Sequence, residues 1–235
     1  MTATEATPTI DTAEATDIAI TATGLTRRYG VATVLDAVSF ALPRGTKAAL
    51  VGANGAGKST LLGVLSTLIA PSAGDASIGG CDLRKDAAGL RRRIGVLAHR
   101  PMLYEDLTPL ENLQFFARLY DVPKDTPRIE ELLRALGLWR RRDEPTSVFS
   151  RGFHQRLAIG RALVHNPEVL LLDEPETGLD AEGMELLDAL MLRDPARTVL
   201  AATHRLDRIE AWADTTLTIE RGRLVPPAPA IGSGL

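Results

Sequence analysis

A single cysteine, Cys81, stands among the 235 residues. A lone thiol excludes an internal disulfide framework and the paired spacing of a cysteine-ligated zinc site, and it fits a reducing cytosol. No run approaches the roughly 18 consecutive apolar residues that a membrane helix needs, so any membrane role has to come through a partner. The chain also lacks a basic excess: 27 Lys and Arg face 30 Asp and Glu, for a net charge of −3. Without a basic field there is little to hold a phosphate backbone by counterion release, and nucleic acid is not an expected partner. The short runs Arg91 to Arg93 and Arg140 to Arg142 are read as solvated faces. Residues 1–17 lack the basic start and apolar core of a signal peptide; rich in Thr and Ala, with Glu5, Asp11, Glu14 and Asp17, they read as a disordered tail. Residues 226–235, "PPAPAIGSGL", read as a flexible terminus, and no internal repeat is present. The expected place is the cytoplasm.

What is present is enough apolar material, 45% of the chain, for one domain or one domain with a subdomain. Apolar and β-branched runs at "IAITAT", "VLDAVSFAL", "KAALVG", "RIGVLA", "EVLLLDE", "RTVLAAT" and "TTLTIE" alternate with longer helical stretches, which predicts an α/β sheet. The early strands are expected to pair as an antiparallel flank. The clearest helix starts at Thr108: Pro109 suits its first turn, Glu111 completes a capping box, and Leu110, Leu113 and Phe116 share a face. A second, "IEELLRALGL", begins at residue 129, and the two together predict a helical subdomain inserted at about residues 100–160 of a domain spanning 18–225.

The strongest motif is "GANGAGKST", between the strand "KAALV" and the helix "TLLGVLSTL". It has the spacing G-x-x-x-x-G-K-[ST] in the context that a phosphate-binding loop requires. Gly52, Gly55 and Gly57 let backbone N–H groups approach phosphate oxygens, and the helix N-terminus adds partial positive charge. Lys58 is expected to reach the β- and γ-phosphates and Ser59 to offer its hydroxyl to Mg²⁺, with Asn54, Ala56 and Thr60 completing the nucleotide set. The competing reading is a glycine-rich turn with no ligand. Downstream, "EVLLLDEPETGLD" ends a buried strand in two carboxylates that strand alternation would send apart. Asp173 is expected at the metal and Glu174 at the γ-phosphate, as base or water-positioning group, unless the pair only caps the next turn.

These residues together resemble the ATP-binding cassette (ABC) ATPases over about residues 18–225. The resemblance implies a P-loop NTPase fold with a mainly parallel core sheet, an antiparallel β flank and an inserted helical subdomain. It implies ATP and Mg²⁺ as ligands, and as partners a second cassette, in a homodimer, and a membrane permease at the inner face of the cell membrane. It makes Tyr29 in "RRYG" the aromatic that stacks on adenine, against an ordinary core tyrosine, and His204 in "AATHRLD" the switch histidine at the γ-phosphate, against a structural one. Asp180 in "TGLD" corresponds to the loop that bridges the two subunits. "SRGFHQR" falls at the family signature, where Ser150, besides capping its helix, and Gly152 face the ATP held by the opposite subunit; Arg151 and Phe153 depart from the common glycine and glutamine.

His99 stands where most members place a glutamine that touches Mg²⁺ and the attacking water; an imidazole cannot reproduce both hydrogen bonds of the amide, and an ordinary loop residue is the competing reading. The stretches "HRPMLYEDLTPLENLQFFARLYDV" and "SRGFHQRLAIGRALVHNPEVLLLDEP" resemble the ATP-binding subunits of bacterial haem exporters in cytochrome c maturation, the CcmA family. Multidrug or lipid export is the alternative within the class, and a soluble ABC-type ATPase of DNA repair or translation the alternative outside it.

Overall fold

The computed structural model describes residues 17–123 and 127–225, so the tail readings at 1–16 and 226–235 lie outside the described residues. The first half runs β1 (Ile18–Tyr29), β2 (Ala32–Pro43), β3 (Lys47–Val51), α1 (Lys58–Leu65), β4 (Ala73–Ile78), β5 (Cys81–Asp82), α2 (Ala87–Arg93) and β6 (Ile94–Leu97). Then come α3 (Pro109–Leu119), α4 (Arg128–Ala135), α5 (Arg151–Leu163), β7 (Val169–Asp173), α6 (Ala181–Leu187), β8 (Thr198–Ala202), α7 (Leu206–Ile209), β9 (Thr215–Glu220) and β10 (Arg223–Val225).

Two sheets form. The flank is antiparallel, in the order β2-β1-β4-β5; the core sheet runs β10-β9-β3-β8-β7-β6, parallel throughout except for β10 against β9. The central strands β3, β8, β7 and β6 are apolar at nearly every position because both faces are covered. Alternation divides them: Val169, Leu171, Leu200 and Ala202 join α1 and the flank in one core, while Leu170, Leu172, Val199 and Ala201 join α3, α4 and α5 in the other. Each such leucine, withdrawn from water, contributes about 1.5–3 kcal/mol.

The helix at Thr108 has its capping box: Glu111 N–H donates to Thr108 Oγ1 at 3.2 Å, and Thr108 N–H donates to Glu111 Oε2 at 2.9 Å. Along it Leu113 is fully buried, whereas Leu110 and Phe116 are partly buried against the same core. Asn112, fully buried at the position before Leu113, accepts from Tyr104 N–H and donates to the carbonyls of Tyr104 and Leu107. It thereby fixes the segment that precedes α3 and leaves Met102 and Tyr104 at the surface, 42% and 50% exposed. Among the described residues no helix is long and apolar enough to cross a membrane.

Candidate functional site

Parallel strands deliver their C-terminal ends to one edge of a sheet, and that edge is where ligands collect in open α/β folds. Here β3, β8 and β7 are neighbours, with Leu50 opposite Ala202 and Asp173 opposite Ala202, so the segments that follow all three emerge together. After β3 the chain turns through Gly52, where a Cβ would lie 2.3 Å from the Ile219 carbonyl oxygen, and through Gly57, at φ 114°, where a Cβ would lie 2.9 Å from that of Val34. Only glycine fits either place without displacement. α1 then begins with no side-chain cap and no acid in its first turn. Its first N–H groups therefore stand at the wall of an open cavity of about 470 Å³, lined by Asn54, Gly55, Gly57, Lys58, Ser59 and Thr60, with Val34 and Glu174 on the other walls. Unsatisfied N–H groups and the positive end of a helix make such a cavity an anion site. Lys58, nearly buried, donates to the carbonyls of Gly52 at 2.7 Å and Ala53 at 3.1 Å, so the loop holds its ammonium in place.

Asp173 and Glu174 diverge as the sequence predicts, but not by strand alternation. β7 ends at Asp173, and Glu174 takes φ 50°, a left-handed conformation costly for a residue with a Cβ. Its N–H still donates to Ala202 at 2.9 Å, so the sheet's last hydrogen bond holds the turn. Asp173 Oδ1 accepts from Ser59 Oγ at 3.0 Å. Burial pushes the Asp173 carboxyl above its usual range, while the hydrogen bond from Ser59 opposes the shift; Glu174 adds to it, and His99 and Lys58 oppose it. Glu174 instead faces the cavity, with its Oε1 3.7 Å from His204 Nδ1, proximity without a hydrogen bond. Ser59 and Asp173 offer two adjacent oxygens, and among the described residues no group of three or more His, Cys, Asp or Glu could hold an ion. That donor set fits Mg²⁺, which takes one or two carboxylates and completes its shell with phosphate oxygens and water.

Tyr29 is not a core residue: it is 46% exposed, at the end of β1, where it pairs with Ala32 across the hairpin whose second strand supplies Val34 to the cavity. Ser150, Gly152 and Asp180 line no part of that cavity and form a second group. Ser150 caps α5, accepting from Phe153 N–H at 3.4 Å. Asp180 caps α6 by accepting from Gly183 N–H at 2.8 Å, and that bond, followed by Arg156, holds its carboxyl below the usual range. The side chain of Arg156, 6% exposed, reaches Asp180 at 2.8 Å and Glu182 at 3.0 Å, tying the signature helix to the "TGLD" loop. The Val34 wall and the Arg156 clamp escape sequence reasoning because each joins segments with no periodic relation to one another.

The chain's residues 35–177 match the family model described as ABC transporter. The ABC transporter ATP-binding protein NatA of Bacillus subtilis (strain 168) is 34% identical, over 88% of this chain and 87% of that protein. The daunorubicin resistance ATP-binding protein DrrA3 of Streptomyces coeruleorubidus is 37% identical, over 91% of this chain and 69% of that one. A solved ATP-binding subunit of an ABC transporter superimposes with a TM-score of 0.82 at 32% identity, covering 88% of each chain. The fold, its nucleotide loop and these likenesses agree: the chain belongs to the ABC transporter family as an ATP-binding cassette, an ATPase whose hydrolysis is coupled to transport.

Proposed function

We propose that this cassette powers an exporter of small amphiphilic molecules of the antibiotic type, with two copies closing over two ATP molecules beneath a separate membrane permease on the cytoplasmic face. The observation that carries the shared site is the separation of its two halves. Lys58, Ser59, Asp173 and Glu174 gather at one cavity, whereas the capped start of α5, with Ser150 and Gly152, lines no part of it. An exposed helix N-terminus of 13 residues with no acid in its first turn suits the phosphates of a nucleotide held by another copy. The name of DrrA3 supports the cargo class. The haem likeness of the two stretches around His99 and Ser150 has no echo in the relatives named above, so antibiotic export stands ahead of haem export.

Within this reading Lys58 and the loop N–H groups hold the β- and γ-phosphates, and Tyr29 carries the base. Ser59 and Asp173 would hold Mg²⁺, which when bound would offset the negative charge of the β- and γ-phosphates. Glu174 orients the attacking water and takes its proton, and His204, beside it, steadies the γ-phosphate. His99, where the family pattern has a glutamine, offers one hydrogen bond at the metal and water position in place of the amide's two. Asp180, clamped by Arg156, spans toward the other copy. The surface formed by Pro101 to Tyr104, held by Asn112, receives the permease.

Affinity purification from solubilised membranes tests the class directly: a multispanning membrane protein should accompany the cassette. Recovery with ribosomes or nucleic acid instead would favour a soluble ATPase of translation or DNA repair. Aspartate at Leu103 or Tyr104 should abolish the copurification while ATP binding persists, and unchanged copurification would remove that surface from the docking site.

A further inference from the structure

Tyr29 presents one ring face to solvent, and its other face is occupied. The guanidinium of Arg27 lies 4.4 Å from the ring centroid, within cation–π range. Arg27 is itself anchored: its NH1 donates to the Ala70 carbonyl at 2.8 Å, and the neighbouring Arg28 N–H donates to Ser72 Oγ at 3.0 Å, which ties the end of β1 to the loop before β4. Arg27 Nε is shut off from water and has no hydrogen-bond partner among the described residues. A buried donor left unpaired is costly, and the attraction between the cation and the ring works against that cost. No acidic side chain among the described residues pairs with Arg27.

We propose that Arg27 is a positioning residue for the nucleotide base, fixing the plane of Tyr29 so that its free face is presented to a purine. This deepens the reading in which Tyr29 stacks on adenine and rests on it. The physical grounds are two. A tyrosine at a hairpin end would otherwise distribute among rotamers, and pinning one ring face removes that freedom before the base arrives, so less is lost on binding. The cation also draws π density toward its own side, which makes the exposed face a better partner for an electron-rich purine. The arrangement reads the flat face of the base and none of its hydrogen-bonding edges, so it separates nucleotide from bare phosphate.

The test uses the isolated chain with Mg²⁺ and two probes that are not hydrolysed by it, ADP and inorganic pyrophosphate, titrated calorimetrically. Tyr29→Ala should weaken ADP about tenfold and leave pyrophosphate unchanged. Arg27→Gln keeps a polar side chain but removes the cation from the ring; it should weaken ADP about fivefold, again leaving pyrophosphate unchanged. In a Tyr29→Ala background Arg27→Gln should have no further effect, and Arg27→Lys, which retains a cation, should recover part of the loss. If Tyr29→Ala leaves ADP unaffected, the base-stacking reading fails and this inference with it. If Tyr29→Ala weakens ADP while Arg27→Gln does not, or if Arg27→Gln weakens both probes alike, the positioning role alone is overturned. Should Arg27→Gln fold poorly, Arg27→Met, which fills the same space without charge, carries the same comparison.

Discussion

At the scale of single residues, Glu174 unites the most constraints. It occupies a left-handed conformation, donates its N–H to the neighbouring strand at 2.9 Å and directs its carboxylate into the cavity beside His204. Positive φ in a non-glycine residue persists only where surrounding structure enforces it, and such residues concentrate at functional sites. Replacement by glutamine preserves shape and backbone while removing the base. Glu174→Gln should keep ATP affinity, lower phosphate release by at least about 10²-fold, and accumulate an ATP-bound dimer on gel filtration. A variant that stayed monomeric and hydrolysed ATP normally would remove Glu174 from the chemistry. Gly57 tests the loop in a different way. Alanine there would require φ 114° and a Cβ 2.9 Å from the Val34 oxygen, so Gly57→Ala should lose nucleotide binding in calorimetry even if the remainder of the fold survives.

At the scale of elements, the contact between the end of α3 and the residues after α5 makes a pH-sensitive joint. His165 stacks on Tyr120 with ring centroids 3.7 Å apart, and its Nε2 lies 2.9 Å from the Ile94 carbonyl. Burial lowers its pKa to about 4, against the bond to Ile94, with Arg161 and Arg197 adding to the fall. An unfolded histidine titrates near 6.5, so between about 6.5 and 4 the unfolded chain binds the extra proton. This contribution to stability is therefore complete above about pH 6.5 and is lost as pH falls toward 4, by at most roughly 3 kcal/mol. Urea midpoints for His165→Gln should fall less steeply than those of the parent across that window; parallel curves would show that the imidazole is not the titrating group.

Elements also show what the sequence disclosed. The seven apolar runs are all strands: β3, β6, β7 and β8 show a continuous signal because both of their faces are buried, while β1, β2 and β9, partly exposed, show theirs through β-branched residues and alternation. β4, "AGDASI", was not legible: it lies in the half-exposed flank and carries glycine and aspartate in place of an apolar run. β5 and β10, two and three residues long, are too short to show a period. β1 runs past "IAITAT" to Tyr29 with repeated shifts of register against β2, between Ala22 and Leu25 around Gly24 and again on either side of Arg27, so the end of the strand carries no regular alternation. The phosphate loop and the Asp173–Glu174 pair were legible because each is contiguous and flanked by the right elements. The stack of Arg27 on Tyr29 and the Arg156–Asp180–Glu182 clamp were not, since a side chain's partner is set by tertiary approach and leaves no fixed spacing.

At the scale of the whole molecule, the two groups of site residues stand on different elements, and within the second group the clamp from Arg156 on α5 to Asp180 and Glu182 ties the helix of Ser150 to the start of α6. In the dimer that we propose, this link joins the helix that serves one nucleotide to the loop that approaches the other. The most direct measurement of that claim is complementation between Lys58→Ala and Ser150→Arg. Each variant alone should lose ATP-driven dimerisation and turnover at both sites of a homodimer. In a mixed dimer one site collects both defects, and the other pairs an intact Lys58 with an intact Ser150. The account predicts recovery of one tightly bound nucleotide per mixed dimer, measured with the permease present where isolated cassettes associate weakly. If Ser150 served its own chain's nucleotide, every site in the mixture would contain one defect. Demonstrated mixed dimers that recover neither binding nor turnover would contradict the shared site.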